Sequence, residues 1–378
     1  MKNLFAFLLL ISTLTAYTQT ATNRLYEYYE NDNTEYGEPT ALFKGYREFI
    51  RTFSQEELGR CDKNECLVLD IFYLWIDYAH GMGKEQSAAL AEDLKLIKQA
   101  GIDFNKKYPK QYELMFSRLF FTMVESLDEI NEEVMERTQY ETIVKGLLAV
   151  GIDFNQPMGN SRRWFTIPQY LVSLEDTSEY PSWLILLEIM LDSKVNLQVG
   201  HDKRWSPFMM SIVSDRAEAF DLFLKKGLNV NYKEGTWTTF ELAVYGTDTT
   251  DLGKVEKIIN AGYDVNRDDH LRGMSALMIM AYADNPETEE AKALIEQVMA
   301  RTKDLNATDA KGNTVLHHAV RTFNPWICHY VGGEVDQSIK NKKGKTALEM
   351  AEDFLAKSKY ATSNQLKWFK EYFEGPPN

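Results

Sequence analysis

Cysteine and histidine are scarce in this chain. Three cysteines and six histidines in 378 residues give little from which to assemble a metal centre. Positive charge is in deficit as well: 42 Lys and Arg stand against 56 Asp and Glu, a formal net charge of −14. So acidic a surface repels phosphate backbones, which disfavours nucleic acid and anionic membranes and makes a basic protein the natural electrostatic partner. The same acidity also serves plain solubility. Long apolar runs are lacking: the stretch from Leu4 to Leu14 falls short of the roughly 20 residues that span a bilayer. No Gly-rich phosphate loop, His-Glu-x-x-His pair or Gly-x-Ser-x-Gly elbow occurs, so no cofactor and no catalysis is implied. A small enzyme hidden in residues 22–100 would have only Cys61, Cys66, His80 and scattered acids to work with.

The apolar start still carries meaning. Met1-Lys2-Asn3, the run to Leu14, and the small polar residues up to Thr18 read as a secretory signal peptide spanning residues 1–18. Export, periplasmic or secreted, would permit oxidation, so Cys61 and Cys66 are expected to form a local disulfide. Cys328 lies in an apolar stretch and is expected to be a buried free thiol.

What the chain has in abundance is a returning phrase. It reads Gly101-Ile-Asp-Phe-Asn105, Gly151-Ile-Asp-Phe-Asn155, Val195-Asn196, Gly227-Leu-Asn-Val-Asn231, Gly262-Tyr-Asp-Val-Asn266, Asp304-Leu-Asn306 and Asp336-Gln-Ser338. The final positions are spaced by 50, 41, 35, 35, 40 and 32 residues. Recurrence at such a period means stacked supersecondary units. Gly ends a helix in the left-handed conformation, and Asp or Asn then bonds local backbone in a turn leading into a β-hairpin. Each unit opens with a Ser or Thr helix cap, at Thr166, Ser206, Thr238, Ser275, Thr314 and Thr346, followed by an apolar seam. Before the array, residues 22–40 read as a polar, loose lead-in. Leu42, Phe43, Tyr46, Phe49, Ile50 and Phe53 predict an amphipathic helix. Ser54-Gln-Glu-Glu57 predicts a helix start, and Leu67–Ala79 a buried helix.

Asn306-Ala-Thr-Asp-Ala-Lys-Gly-Asn-Thr-Val-Leu-His-His-Ala319 and its echo Ser338–Ala351 strongly resemble the ankyrin repeat. The resemblance covers about residues 85–355 and is diffuse before residue 160. It implies an all-α solenoid of helical hairpins: a helical cap or degenerate repeats over 19–84, the array over 85–355, and a capping helix over 356–378. It also implies that His317 is structural, bonding the backbone of a neighbouring unit, and not one half of a metal site with His318.

Ankyrin arrays bind other proteins along the concave, hairpin side. The resemblance places the residue before each helix cap, and the residue after each closing Asn, at the hairpin base facing outward. Large side chains gather there on the middle units, Phe165, Trp205, Tyr232, Trp237, Arg267 and Met274, with Trp164 flanking them. Trp, Tyr and Arg dominate binding hot spots. Packing of ring on ring between hairpins, or stacking on sugars, would use the same residues. The basic run Lys340–Lys345 could dock an acidic partner or serve as a soluble turn. The expectation is a non-enzymatic protein-binding scaffold, of inhibitor or immunity type, with a structural part in an envelope assembly as the alternative.

Overall fold

The computed structural model describes residues 21–31, 39–61, 66–79, 86–106, 115–130, 137–158, 165–174, 182–200, 205–214, 217–246, 250–283, 288–357, 371 and 373. The expected signal peptide, Trp164 and most of the tail beyond residue 357 lie outside these. The chain divides into two compact units, Met1–Val195 and Asn196–Asn378.

In the first unit, α1 (Ala21–Asn31), α2 (Pro39–Ile50) and α3 (Gln55–Leu58) precede three helix pairs. The pairs are α4 (Leu67–Ala79) with α5 (Gln86–Gln99), α6 (Met115–Ile130) with α7 (Arg137–Ala149), and α8 (Ile167–Ser173) with α9 (Trp183–Asp192). First helices stack on first helices, α2 on α4 on α6, and second helices on second, α5 on α7 on α9. The region expected to be a loose lead-in contains a helix, α1. Its packing face is largely tyrosine, which an apolar count overlooks: Leu25 and Tyr26 are buried. The Tyr26 and Tyr29 hydroxyls donate to Asp70 and Asp77 of α4. That also accounts for two carboxylates in an otherwise apolar helix. The Ser54 and Glu57 pair forms a capping box on α3. Just before α4, Cys61 and Cys66 are joined in a disulfide.

The second unit holds four pairs: α10 (Pro207–Val213) with α11 (Ala217–Lys225), α12 (Thr239–Tyr245) with α13 (Leu252–Asn260), α14 (Ala276–Met280) with α15 (Glu289–Arg301), and α16 (Val315–Thr322) with α17 (Pro325–Val331). Helix α18 (Ala347–Lys357) opens one more. The first helices form one row, α10, α12, α14, α16 and α18, and α13, α15 and α17 form another behind it. These first helices are short and greasy; all of α14 is buried. At α10, α12 and α14 the opening Ser or Thr accepts the N–H three residues on, which satisfies a helix-end donor. Ser206 needs more help, because the residue three on is Met209 and cannot reach back. Glu234 of the next unit's turn accepts the Ser206 N–H instead, at 2.8 Å.

The returning phrase is an Asx turn at every copy. Asp103, Asp153, Asn196, Asn229, Asp264, Asp304 and Asp336 each accept the N–H two residues on, at 2.8–3.0 Å. The third copy is therefore Asn196-Leu-Gln198, two residues out of the frame that Asn spacing suggests. Its left-handed residue is Lys194 at φ 64°, in the role Gly151 and Gly227 fill elsewhere. The last residue of the phrase ties one unit to the next. Asn231 Oδ1 accepts the Asp264 N–H at 2.8 Å while its amide donates to the Gly262 carbonyl at 3.1 Å. Asn266 repeats this on Lys303 and Arg301, and Gln198 on both backbone groups of Asn229. Among the described residues the turns seldom mature into hairpins; one two-stranded ladder forms, β1 (Lys233–Glu234) with β2 (Trp237–Thr238). Phe373 is buried, and its carbonyl accepts from Gln337 at 2.9 Å. No described helix is long and apolar enough to cross a membrane.

Candidate functional site

In the second unit, the first helices and the turns ahead of them build one face. The turn tips are joined by backbone: the Ala310 N–H donates to the Arg272 carbonyl at 3.4 Å and the Lys342 N–H to the Lys311 carbonyl at 2.9 Å. Close approach here requires glycine. A Cβ on Gly312, whose φ is 75°, would lie 3.0 Å from the Lys342 nitrogen. Asp309 shapes its tip by accepting the Lys311 and Asn313 N–H groups, and Asn341 does the same for Lys343 and Lys345.

Across this face runs a row of rings. Trp237 on β2 lies 6.1 Å from Tyr245, Tyr245 lies 5.2 Å from Tyr282, and Tyr282 lies 5.7 Å from His318, centre to centre. All these pairs are tilted or edge-on, the favourable geometry for aromatic rings. Tyr282 and His318 are locked further. The Tyr282 hydroxyl donates to His318 Nδ1 at 3.1 Å, and His318 Nε2–H donates to Asp309 at 3.1 Å. This fixes the tautomer of the ring. The Tyr245 hydroxyl is buried and has no hydrogen-bond partner among the described residues; burial drives its pKa up.

Cations flank the row. Lys311, Arg321, Lys342 and Lys343 are all exposed and line a cavity of about 380 Å³ whose floor includes His318 and Met350. None of the four has a carboxylate partner among the described residues. The other lysines of the 340–345 run are engaged: Lys340 pairs with Glu349 at 3.5 Å, and Lys345 with Asp353.

The expected partner-binding residues fare differently from one another. Trp237 joins the ring row. Tyr232, Phe165 and Trp205 are half-buried. Met274 is buried, 4% exposed, because its chain turns inward after the 3₁₀ turn Leu271–Gly273. Arg267 spends its donors inside the fold: a two-pronged pair with Asp269 at 2.8 Å and 2.8 Å, and the Asn231 carbonyl. Arg267 holds the Asp269 carboxyl far below its usual range. Trp164 lies outside the described residues. The structure adds Tyr245, Tyr282, Arg321 and Lys311. The first three share one register, seven residues after the caps Thr238, Ser275 and Thr314, and that regularity was open to reading in the sequence.

His317 takes the structural part expected of it. Its Nδ1 accepts the Thr314 N–H at 3.1 Å and its Nε2–H donates to the Lys345 carbonyl of the next turn at 2.9 Å. Both ring nitrogens are thereby occupied. Cys328 is a buried free thiol, its pKa pushed up by burial. No cluster of metal-ligating side chains occurs among the described residues.

Burial also holds both His317 and His318 below the ordinary imidazole range. Below pH of about 6.5 the unfolded chain then binds protons that the folded chain refuses, so stability is full above that pH and falls as pH drops through it. Urea midpoints of the second unit measured at pH 7.5, 6.5 and 5.5 are expected to decline in that order. Changing both histidines to glutamine flattens the decline; an equally steep fall in that variant would assign it to other groups.

Residues 242–341 match the family model of ankyrin repeats (3 copies), and that segment is made of ankyrin repeats. No curated protein matches the chain. Among solved structures, a chain is similar from the complex of Bd0816, a predatory endopeptidase from Bdellovibrio bacteriovorus, with immunity protein Bd3460. The identity is 21%, the match covers 55% of this chain and 97% of that chain, and the TM-score is 0.42.

Proposed function

Starting from an array that contains ankyrin repeats, we propose that this chain is a non-catalytic binding protein that holds another protein against the first-helix and turn-tip face of its second unit. The observation that carries this reading is the ring row Trp237, Tyr245, Tyr282 and His318. Rings held rigid by neighbours lose little freedom on docking, so the area they bury counts almost fully toward affinity. Together with the export leader read in residues 1–18, the role that fits is neutralisation of an exported enzyme or toxin outside the cytoplasm.

The test starts from partners cross-linked to the exported protein in its own cells, identified by mass, then purified and titrated. Changing Trp237 and Tyr245 together to alanine weakens the complex by about 30-fold or more, the scale of a hot-spot loss, while the free protein melts at a lower temperature but still cooperatively. If affinity stays the same while the melting point collapses, the rings serve packing between units and the binding face is elsewhere.

A further inference from the structure

The proposed face is not uniform, and its charge runs against that of the chain. Acids outnumber bases, at 56 to 42, and many of the described cations pair with a carboxylate. Arg47, Arg137, Lys145, Lys233, Lys257 and Arg267 all do. Among the described residues Lys311, Arg321, Lys342 and Lys343 have no such partner, and they crowd around one cavity. Their gathering is built in. Lys311 and Lys343 hold the same position of successive turns, each two residues after the acceptor, Asp309 or Asn341, that shapes the tip. The backbone bond from Lys342 to Lys311 clamps those turns together. Arg321 reaches the same space from the last turn of α16.

We propose that this cavity is an anion-recognising subsite that takes a carboxylate-rich peptide segment of the protein partner; it deepens the binding function proposed above and rests on it. The charge logic is local. At physiological salt, fields decay over about 8 Å, so the four cations govern this cavity and the distant net charge does not. At this face the proposed partner segment is acidic, whereas the net charge of the chain favours a basic protein. A volume of about 380 Å³ suits one or two acidic side chains. Met350 and His318 line the same cavity. A nucleic acid is the poorer fit: it needs a long basic track, and the remaining surface of this chain repels it.

The probe is an octaglutamate peptide, titrated calorimetrically into the protein carrying both units at low salt. Binding is expected with a Kd on the order of 0.1–1 mM, falling at least tenfold in affinity when salt is raised to about 300 mM. Lys311→Glu with Arg321→Glu removes it by at least tenfold. Lys311→Gln with Arg321→Gln gives an intermediate loss and stands in if the reversed pair fails to fold. No binding by the parent protein, or equal binding by parent and both variants, overturns the proposal. So does tighter binding of a single-stranded dodecanucleotide than of the peptide, since that makes the subsite a phosphate track. Failure here is separable from failure of the wider reading. Loss of the cellular partner in the Trp237 and Tyr245 variant, with no peptide binding, leaves the face standing and removes only the acidic subsite. Peptide binding that the ring changes leave intact, with the partner unaffected by them, does the reverse.

Discussion

Replacing Asp93 with alanine lowers the stability of the first unit by about 3–5 kcal/mol, the cost of breaking a buried ion pair from one side. The carboxylate is 1% exposed and sits where three helices meet. It accepts from Arg47 at 2.8 Å and 3.1 Å, from Arg51 at 2.6 Å and from the Trp75 indole N–H at 2.9 Å. Arg47 and Arg51 come from α2 and its end, Trp75 from α4, and Asp93 itself from α5. Without it, the fully buried indole loses its acceptor, and among the described residues Arg47 keeps hydrogen bonds to Glu92 and the Ala89 carbonyl. Arg51 is 39% exposed along its side chain and can turn to water, which pulls the loss toward the lower end of the range. Asn at this position keeps one acceptor oxygen and loses about half as much. Urea unfolding followed by far-UV circular dichroism measures both. A loss below about 1 kcal/mol in the alanine variant would show that the cluster relaxes into solvent and does not knit the three helices.

Why this cluster was invisible in the letters is instructive. Asp93 lies in a charged stretch, Glu92-Asp93-Leu-Lys95, and no period separates a buried acid from a solvated one. The helix pairs were legible, because capping and turning need specific chemistry at fixed places. Thr166, Ser206, Thr238 and Ser275 all cap as read. The frame slipped at Asn196, where Lys194 takes the left-handed place of glycine and Gln198 that of asparagine. The helix Ala21–Asn31 was missed because its buried side includes tyrosine hydroxyls that reach Asp70 and Asp77. In the candidate site, Trp237 was legible from its place beside a cap. Tyr245 and Tyr282 needed a second register, at the far end of the first helix. Arg267 has the right chemistry for a partner contact, and only coordinates reveal that Asp269 and Asn231 consume it. The run Lys340–Lys345 was visible as charge. Its division into Lys340 and Lys345, which pair with α18, and Lys342 and Lys343, which have no carboxylate partner among the described residues, depends on elements remote from the run's own pattern.

Glu241 and His317 occupy the same slot, three residues after a capping threonine, and the choice between them is dictated by the next unit. His317 accepts from Thr314 and donates to the Lys345 carbonyl. Glu241, fully buried, accepts the Thr238 N–H at 2.8 Å and the Leu271 N–H at 2.5 Å. The neighbour of Glu241 thus presents a donor where the neighbour of His317 presents an acceptor. Glu241→Ala orphans the buried Thr238 N–H and the half-buried Leu271 N–H, at about 1–3 kcal/mol each, and leaves a hole, a total loss of about 3–5 kcal/mol. Glu241→His is expected to lose nearly as much, although histidine is native to the equivalent place. A neutral imidazole has one acceptor nitrogen and would face two donors. Glu241→Gln satisfies one donor and falls between. Burial alone would raise the Glu241 carboxyl, but the His270 ring 3.6 Å away and the two N–H donors overcome it and hold the group below its usual range. Its contribution is complete above pH of about 4.3 and drains away as pH falls through the folded value, so the glutamine variant loses that part of the acid sensitivity. A histidine variant as stable as the parent would mean that the turn at Leu271 can present its carbonyl instead. The slot would then read composition, and not the polarity of the next turn.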